Sequence, residues 1–194
     1  MRLFVALDIP EAVRKNLVEV RQRFTTPESR MRWVPSENFH VTLKFIGEVA
    51  QEKVEAISNA LREVRIPGFV EVVFRGLGWY WNAKGFGLLL ATIDPSESLT
   101  TLANKIGRPL EPLGIAPETH EYRPHLTLAR CKPLEYRLRS AIPQDIISVA
   151  NEYKGHLFGS VSAQSFDLIE SELDEDGSKY TTIETFPFAG MAAA

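Results

Sequence analysis

One cysteine in 194 residues, Cys131, leaves no partner for an internal disulfide and excludes a metal site built on several thiolates. Cys131 reads as a small buried thiol near a strand end, because no local signature marks it as a nucleophile. No run approaches the ~18 consecutive apolar residues of a membrane span, so no membrane partner is expected. Basic residues are in the minority, 22 Lys and Arg against 25 Asp and Glu, for a net charge of −3. That balance argues against a broad grip on a nucleic-acid backbone, while a terminal phosphate held by a few local cations stays open. No low-complexity linker divides the chain. It reads as one domain over 1–190 made of two packed lobes, followed by a tail at 191–194. The opening Met1–Pro10 reads as a first strand rather than a signal segment, since it is short, lacks a small-residue cleavage site and runs into charged residues. A cytoplasmic monomer is the expectation.

Histidine is also scarce, with four in the chain, yet two of them open the same pattern. His40-Val41-Thr42-Leu43 and His125-Leu126-Thr127-Leu128 lie 85 residues apart, each inside an apolar run. Side chains alternate along a strand, so His and Thr face one way while Val41/Leu43 or Leu126/Leu128 face the other. A single strand histidine is ordinarily structural. A duplicated His-Thr pair has no common packing rationale and points to chemistry. His120 and His156 read as surface residues, and Arg30, Arg32, Arg137 and Arg139 as solvated charges.

The order around each motif is similar: helix, motif strand, helix, pair of strands. Helices are expected near 11–24, 51–64, 96–110 and 143–153, with Asp8 capping the first. Strands are expected near 69–75 and 86–93, joined at 81–85, and near 161–171 and 179–186, joined at 174–178. The hairpin signals argue for α+β with mainly antiparallel sheets. The two halves should be related, each supplying one motif strand at the centre of its sheet, with both imidazoles facing one open groove.

Two facing imidazoles can work as a general acid/base pair, because a pKa near 6.5 makes both protonation states accessible. Thr42 and Thr127 can donate to oxygens that gain charge. A phosphodiester fits this set, having attacking and leaving oxygens roughly in line. By strand period Lys44 shares the motif face and is the simpler cation to contact the substrate phosphate. Phe45 falls off it, and Arg130 reaches a phosphate only through a bulge or strand end. Arg123 precedes the second motif, and Trp33, Phe45, Tyr122 and Phe86 are candidates to stack on a base. Two histidines beside threonines are too few ligands for a metal site, so none is expected.

The paired motifs resemble those of the 2H phosphoesterase superfamily. The stretches Arg2–Leu7, Arg32-Trp33-Val34, His40–Gly47, Tyr122–Arg130, Ile169–Leu173 and Phe186-Pro187-Phe188 resemble the RNA 2′,3′-cyclic phosphodiesterases, also called 2′-5′ RNA ligases. The resemblance implies a bilobal, pseudo-twofold symmetric fold with two antiparallel sheets, flanking helices, a groove between lobes and no cofactor. It implies opening of a 2′,3′-cyclic phosphate on an RNA 3′ end or short oligonucleotide to a 2′-phosphomonoester, and an association with 2′-5′ joining. His40 would then protonate the departing 3′ oxygen and His125 activate water, with Thr42, Thr127 and Arg130 on the phosphate. Spacing alone leaves the two histidine roles interchangeable. An endoribonuclease using the same pair and a catalytically silent RNA- or nucleotide-binding module are the alternatives.

Overall fold

The computed structural model describes residues 1–24, 31–81, 87–131, 144–173 and 178–189. The turns at 82–85 and 174–177, Phe86, Arg30, Lys132, Arg137, Arg139, the tail and the Cys131 thiol lie outside what is described.

Among the described residues, nine strands form two wholly antiparallel sheets. The first has the order β3-β1-β8-β9, from His40–Glu48, Arg2–Asp8, Ser165–Leu173 and Ser178–Pro187. The second has the order β2-β6-β5-β4-β7, from Met31–Trp33, His125–Cys131, Gly87–Ile93, Val70–Trp81 and Leu157–Ala163. Helices α1 (Glu11–Arg21), α2 (Val54–Arg62), α3 (Glu97–Gly107) and α4 (Gln144–Glu152) complete an α+β architecture. The orders β3-β1-β8-β9 and β6-β5-β4-β7 correspond strand for strand, each with a motif strand beside a partner that precedes it in the chain. This is the pseudo-twofold relation.

The sheets are not built from contiguous halves. The expected strand at 161–171 is two strands: β7 ends at Ala163 in the second sheet, and β8 begins at Ser165 in the first. β2, read in the sequence only as a lead-in to the first motif, pairs with β6 instead. Pro35 and a 3₁₀ turn at Ser36–Asn38 then carry the chain across to β3. β3 lies at the edge of its sheet, not its centre, whereas β6 is interior.

A single large apolar cluster fills the interior, including Leu3, Val5 and Leu7 of β1, Val13 and Leu17 of α1 and Leu126 and Leu128 of β6. Burying each such side chain contributes about 1.5–3 kcal/mol. The opposite face of β1 joins a second small cluster of Phe4, Ala6 and Ile169, with Tyr180 packed on it. α1 packs on β7 at Gly159, where an added Cβ would sit 2.9 Å from Val13 Cγ2. Asp8 does not cap α1: Pro10 occupies that position, and the Asp8 carboxylate accepts from Arg14 at 3.0 Å.

Candidate active site

The two motif strands carry the same irregularity at the same place. In β3, Val5 pairs with Lys44 and Ala6 with Thr42, so Leu43 is the extra residue of a β-bulge. In β6, Leu89 pairs with Ala129 and Leu90 with Thr127, so Leu128 is the extra residue. A bulge shifts the alternation by one position. Five residues after each histidine, the side chain therefore returns to the motif face.

This inverts two assignments made from strand period. Lys44 does not face the motif side: it is buried, 4% exposed, and its ammonium donates to Ala116 O at 2.7 Å and Glu118 Oε1 at 2.9 Å. Phe45 does share that face, pairing with Phe4 at a ring separation of 6.3 Å while remaining 62% exposed. The corresponding bulge in β6 sets Arg130 on the His125 side. Its charge is close enough to act on His40.

Both imidazoles are pinned identically. His40 Nδ1 lies 2.7 Å from Asn38 O, and His125 Nδ1 lies 2.8 Å from Arg123 O, in each case the carbonyl two residues earlier. A carbonyl only accepts, so Nδ1 must carry the proton in both rings. Nε2 is then left for chemistry, as acceptor when the ring is neutral and donor when it is charged. His40 Nε2 lies 3.1 Å from Thr42 Oγ1. Thr127, in the matching position of β6, is half-buried.

His40 is enclosed by Phe4, 4.8 Å away ring to ring, and by the edge of Tyr180 at 5.3 Å. Burial lowers its pKa below the ordinary 6.5, the Asn38 carbonyl pulls the other way, and the charges of Arg130 and His125 lower it further. The charge of His125 thus acts on His40 across the meeting of β3 and β6. Beside His40 opens a groove of about 520 Å³, lined by Asp8, Arg14, Asn38, Asp167, Tyr180 and Thr182 among others; His125 is not in its lining. Burial raises the Asp167 pKa, the Thr185 hydroxyl opposes this, and the Asp8 charge adds to the rise.

Three further expectations are redirected. Tyr122 is half-buried, and its hydroxyl donates to Thr42 O at 2.9 Å, joining the loop before β6 to the first motif. Burial holds its phenol well above the usual pKa. Trp33 lies on the core side, 5.3 Å from Phe24 with the Arg21 guanidinium over its ring. Arg123 extends into solvent with only a loose pairing to Glu121 at 3.9 Å, and it is the backbone carbonyl of this residue that serves the site. Among the described residues no group of three or more His, Cys, Asp or Glu is arranged to hold a metal ion.

The sequence signature of the LigT-like phosphoesterases matches residues 7–84 and 92–180. The chain belongs to this family. It is an enzyme of the phosphoesterase class. The RNA 2′,3′-cyclic phosphodiesterase of Archaeoglobus fulgidus is 28% identical over 186 residues, covering 96% of this chain and 99% of that protein. That of Aeropyrum pernix is 31% identical over 162 residues, covering 79% and 84%. Among solved structures, one from Thermus thermophilus has a TM-score of 0.76 at 29% identity, covering 99% of this chain and all of that one. E. coli LigT complexed with 3′-AMP also has a TM-score of 0.76, at 26% identity, covering 97% and 98%. No described helix of this LigT-like phosphoesterase is long and apolar enough to cross a membrane.

Proposed function

We propose that this phosphoesterase opens 2′,3′-cyclic phosphates at RNA 3′ ends, leaving a 2′-phosphomonoester and a free 3′ hydroxyl. The carrying observation is the matched pinning of both imidazoles through Nδ1. Each ring can gain or lose a proton at Nε2 without turning over, which a general acid/base pair requires. The names of the relatives supply the RNA substrate.

In the proposed reaction, neutral His125 takes a proton from water at Nε2 as the water oxygen bonds to phosphorus. The P–O3′ bond breaks, and protonated His40 delivers its Nε2 proton to O3′. Thr42, Thr127 and Arg130 hold the nonbridging oxygens, where negative charge builds. Phe45 offers its exposed ring to the terminal base. Arg123 remains a candidate contact for the rest of the chain.

One observation favours the reverse assignment. His40 is biased toward the neutral form in the unliganded protein, as a base would be. A cyclic phosphate bearing sulfur at the 3′ position separates the readings, because a thiolate departs without being protonated. His40→Ala should recover most of its activity on that substrate and His125→Ala should not; the opposite pattern exchanges the roles.

The test of the function is a short RNA ending in 2′,3′-cyclic phosphate, incubated with EDTA and followed by phosphorus NMR. The expected product is the 2′-phosphomonoester, formed with the chelator present. Binding without turnover would make the protein a binding module, and cutting at internal linkages would make it an endoribonuclease. Activity lost to EDTA and restored by a divalent ion would overturn the two-histidine mechanism.

A further inference from the structure

Among the described residues, the second sheet has one strand for which the first has no counterpart. The first sheet ends at its motif strand, β3, whereas the second continues past β6 to β2. Residues opposite one another on antiparallel strands project from the same face. The register sets Arg32 of β2 opposite Arg130 of β6, so the two guanidiniums leave one face from strands about 4.8 Å apart. Packing of Trp33 into the core side fixes which way β2 faces.

Both arginines are exposed, and neither takes part in an ion pair among the described residues. Like charges directly opposite in a sheet destabilise it. A cyclic phosphodiester carries one negative charge, which Arg130 alone balances. The pair therefore suits a ligand with a second anionic group close to the first.

We infer that Arg32 binds the phosphate on the 5′ side of the terminal nucleotide, making it a specificity-determining residue for RNA over nucleoside cyclic phosphates. This rests on the reading of Arg130 as a ligand of the terminal phosphate. In an RNA chain the 5′-side phosphate is the next anion along the backbone, and a mononucleoside 2′,3′-cyclic phosphate lacks it. β2 thus gives the near-symmetric frame a direction, because among the described residues only the second sheet continues past its motif strand.

The test compares adenosine 2′,3′-cyclic phosphate with its 5′-phosphorylated counterpart, using wild type, Arg32→Gln and Arg32→Lys. Wild type should favour the 5′-phosphorylated substrate by about tenfold in kcat/KM, the size of a lost charge-assisted contact. Arg32→Gln should erase that preference without changing turnover of the simpler substrate. Arg32→Lys should retain part of it, as a point charge lacking the planar fork. The slope of log kcat/KM against log salt for the 5′-phosphorylated substrate should become shallower by about 0.7 in Arg32→Gln. Equal wild-type rates on the two substrates, or an equal loss on both in Arg32→Gln, would overturn the inference while leaving the proposed function standing. Calorimetry with adenosine 2′,5′-bisphosphate and adenosine 2′-monophosphate gives a readout without turnover. A tenfold preference for the bisphosphate that vanishes in Arg32→Gln sustains the inference even if neither cyclic phosphate is opened, and equal affinities refute it.

Discussion

Replacing Phe45 by Ala should damage activity much more than stability, and the structure sets both sizes. Phe45 is 62% exposed, so about two-fifths of the residue is covered. Full burial of such a side chain is worth about 1.5–3 kcal/mol, which puts the stability loss at about 0.6–1.1 kcal/mol. For a chain of this length that lowers Tm by about 1–4 °C. A base stacked on the free face contributes about 1–3 kcal/mol, so kcat/KM should fall about 5- to 150-fold. Phe45→Trp should retain the activity. The decisive comparison adds a ribose 2′,3′-cyclic phosphate with no base, on which wild type and Phe45→Ala should perform alike. Equal losses with and without the base would show that the ring merely supports His40 through Phe4, and would rule out stacking as its role.

The residue on the other side of the bulge should behave in the opposite way. Lys44→Met, which keeps the stem and removes the ammonium, should lower stability by about 1.5–3 kcal/mol in urea unfolding. KM should not change; a raised KM at unchanged stability would return Lys44 to the substrate. Tyr122→Phe should cost about 0.5–1.5 kcal/mol by losing its bond to Thr42 O, with any activity loss appearing in kcat as Thr42 loosens. A change confined to substrate affinity would make the phenol a ligand contact instead. Because the folded pKa of His40 lies below its unfolded 6.5, the unfolded chain binds the extra proton between those values. Stability should therefore be whole above 6.5 and decline as pH falls from there toward the folded pKa. The decline should be smaller in His40→Asn, and urea midpoints at about pH 7.5 and about pH 5.5, on either side of the imidazole range, measure it; identical declines in both proteins would contradict the burial of His40.

The apolar alternation around His40 and His125 was enough to read two strands, and the repetition was enough to pick out His40, Thr42, His125 and Thr127. What stayed hidden was non-local or carried no marker. Leu43 and Leu128 are ordinary strand residues, and nothing in their identity announces a bulge, so period two sent Lys44 and Phe45 to the wrong sides. The change of sheet between Ala163 and Ser165 turns on one residue, Gln164, within a stretch that reads as unbroken strand. Arg32 is the exposed charge that the sequence suggests, but its place opposite Arg130 is not legible there, because β2 is three residues long and its partner strand lies far downstream. Even the strand order of the first sheet depends on β8 and β9 returning from the far end of the chain.

The matched bulges also divide labour within a duplicated design. Upstream of each extra leucine, the two strands present the same pair of groups, His and Thr, on one face. Downstream, the first position to regain that face is Phe45 on one strand and Arg130 on the other. The strands therefore agree in the groups offered before the bulge and differ, aromatic against cationic, in the first group after it. On the proposed mechanism, changing Phe45 should thus alter which base is accepted, whereas changing Arg130 should slow the chemical step itself. The extra leucine sets how far that residue stands from its histidine. Removing Leu43 or Leu128 would restore plain alternation with Phe45 or Arg130 still on the motif face, but one residue nearer the imidazole and without the local bend that aims it.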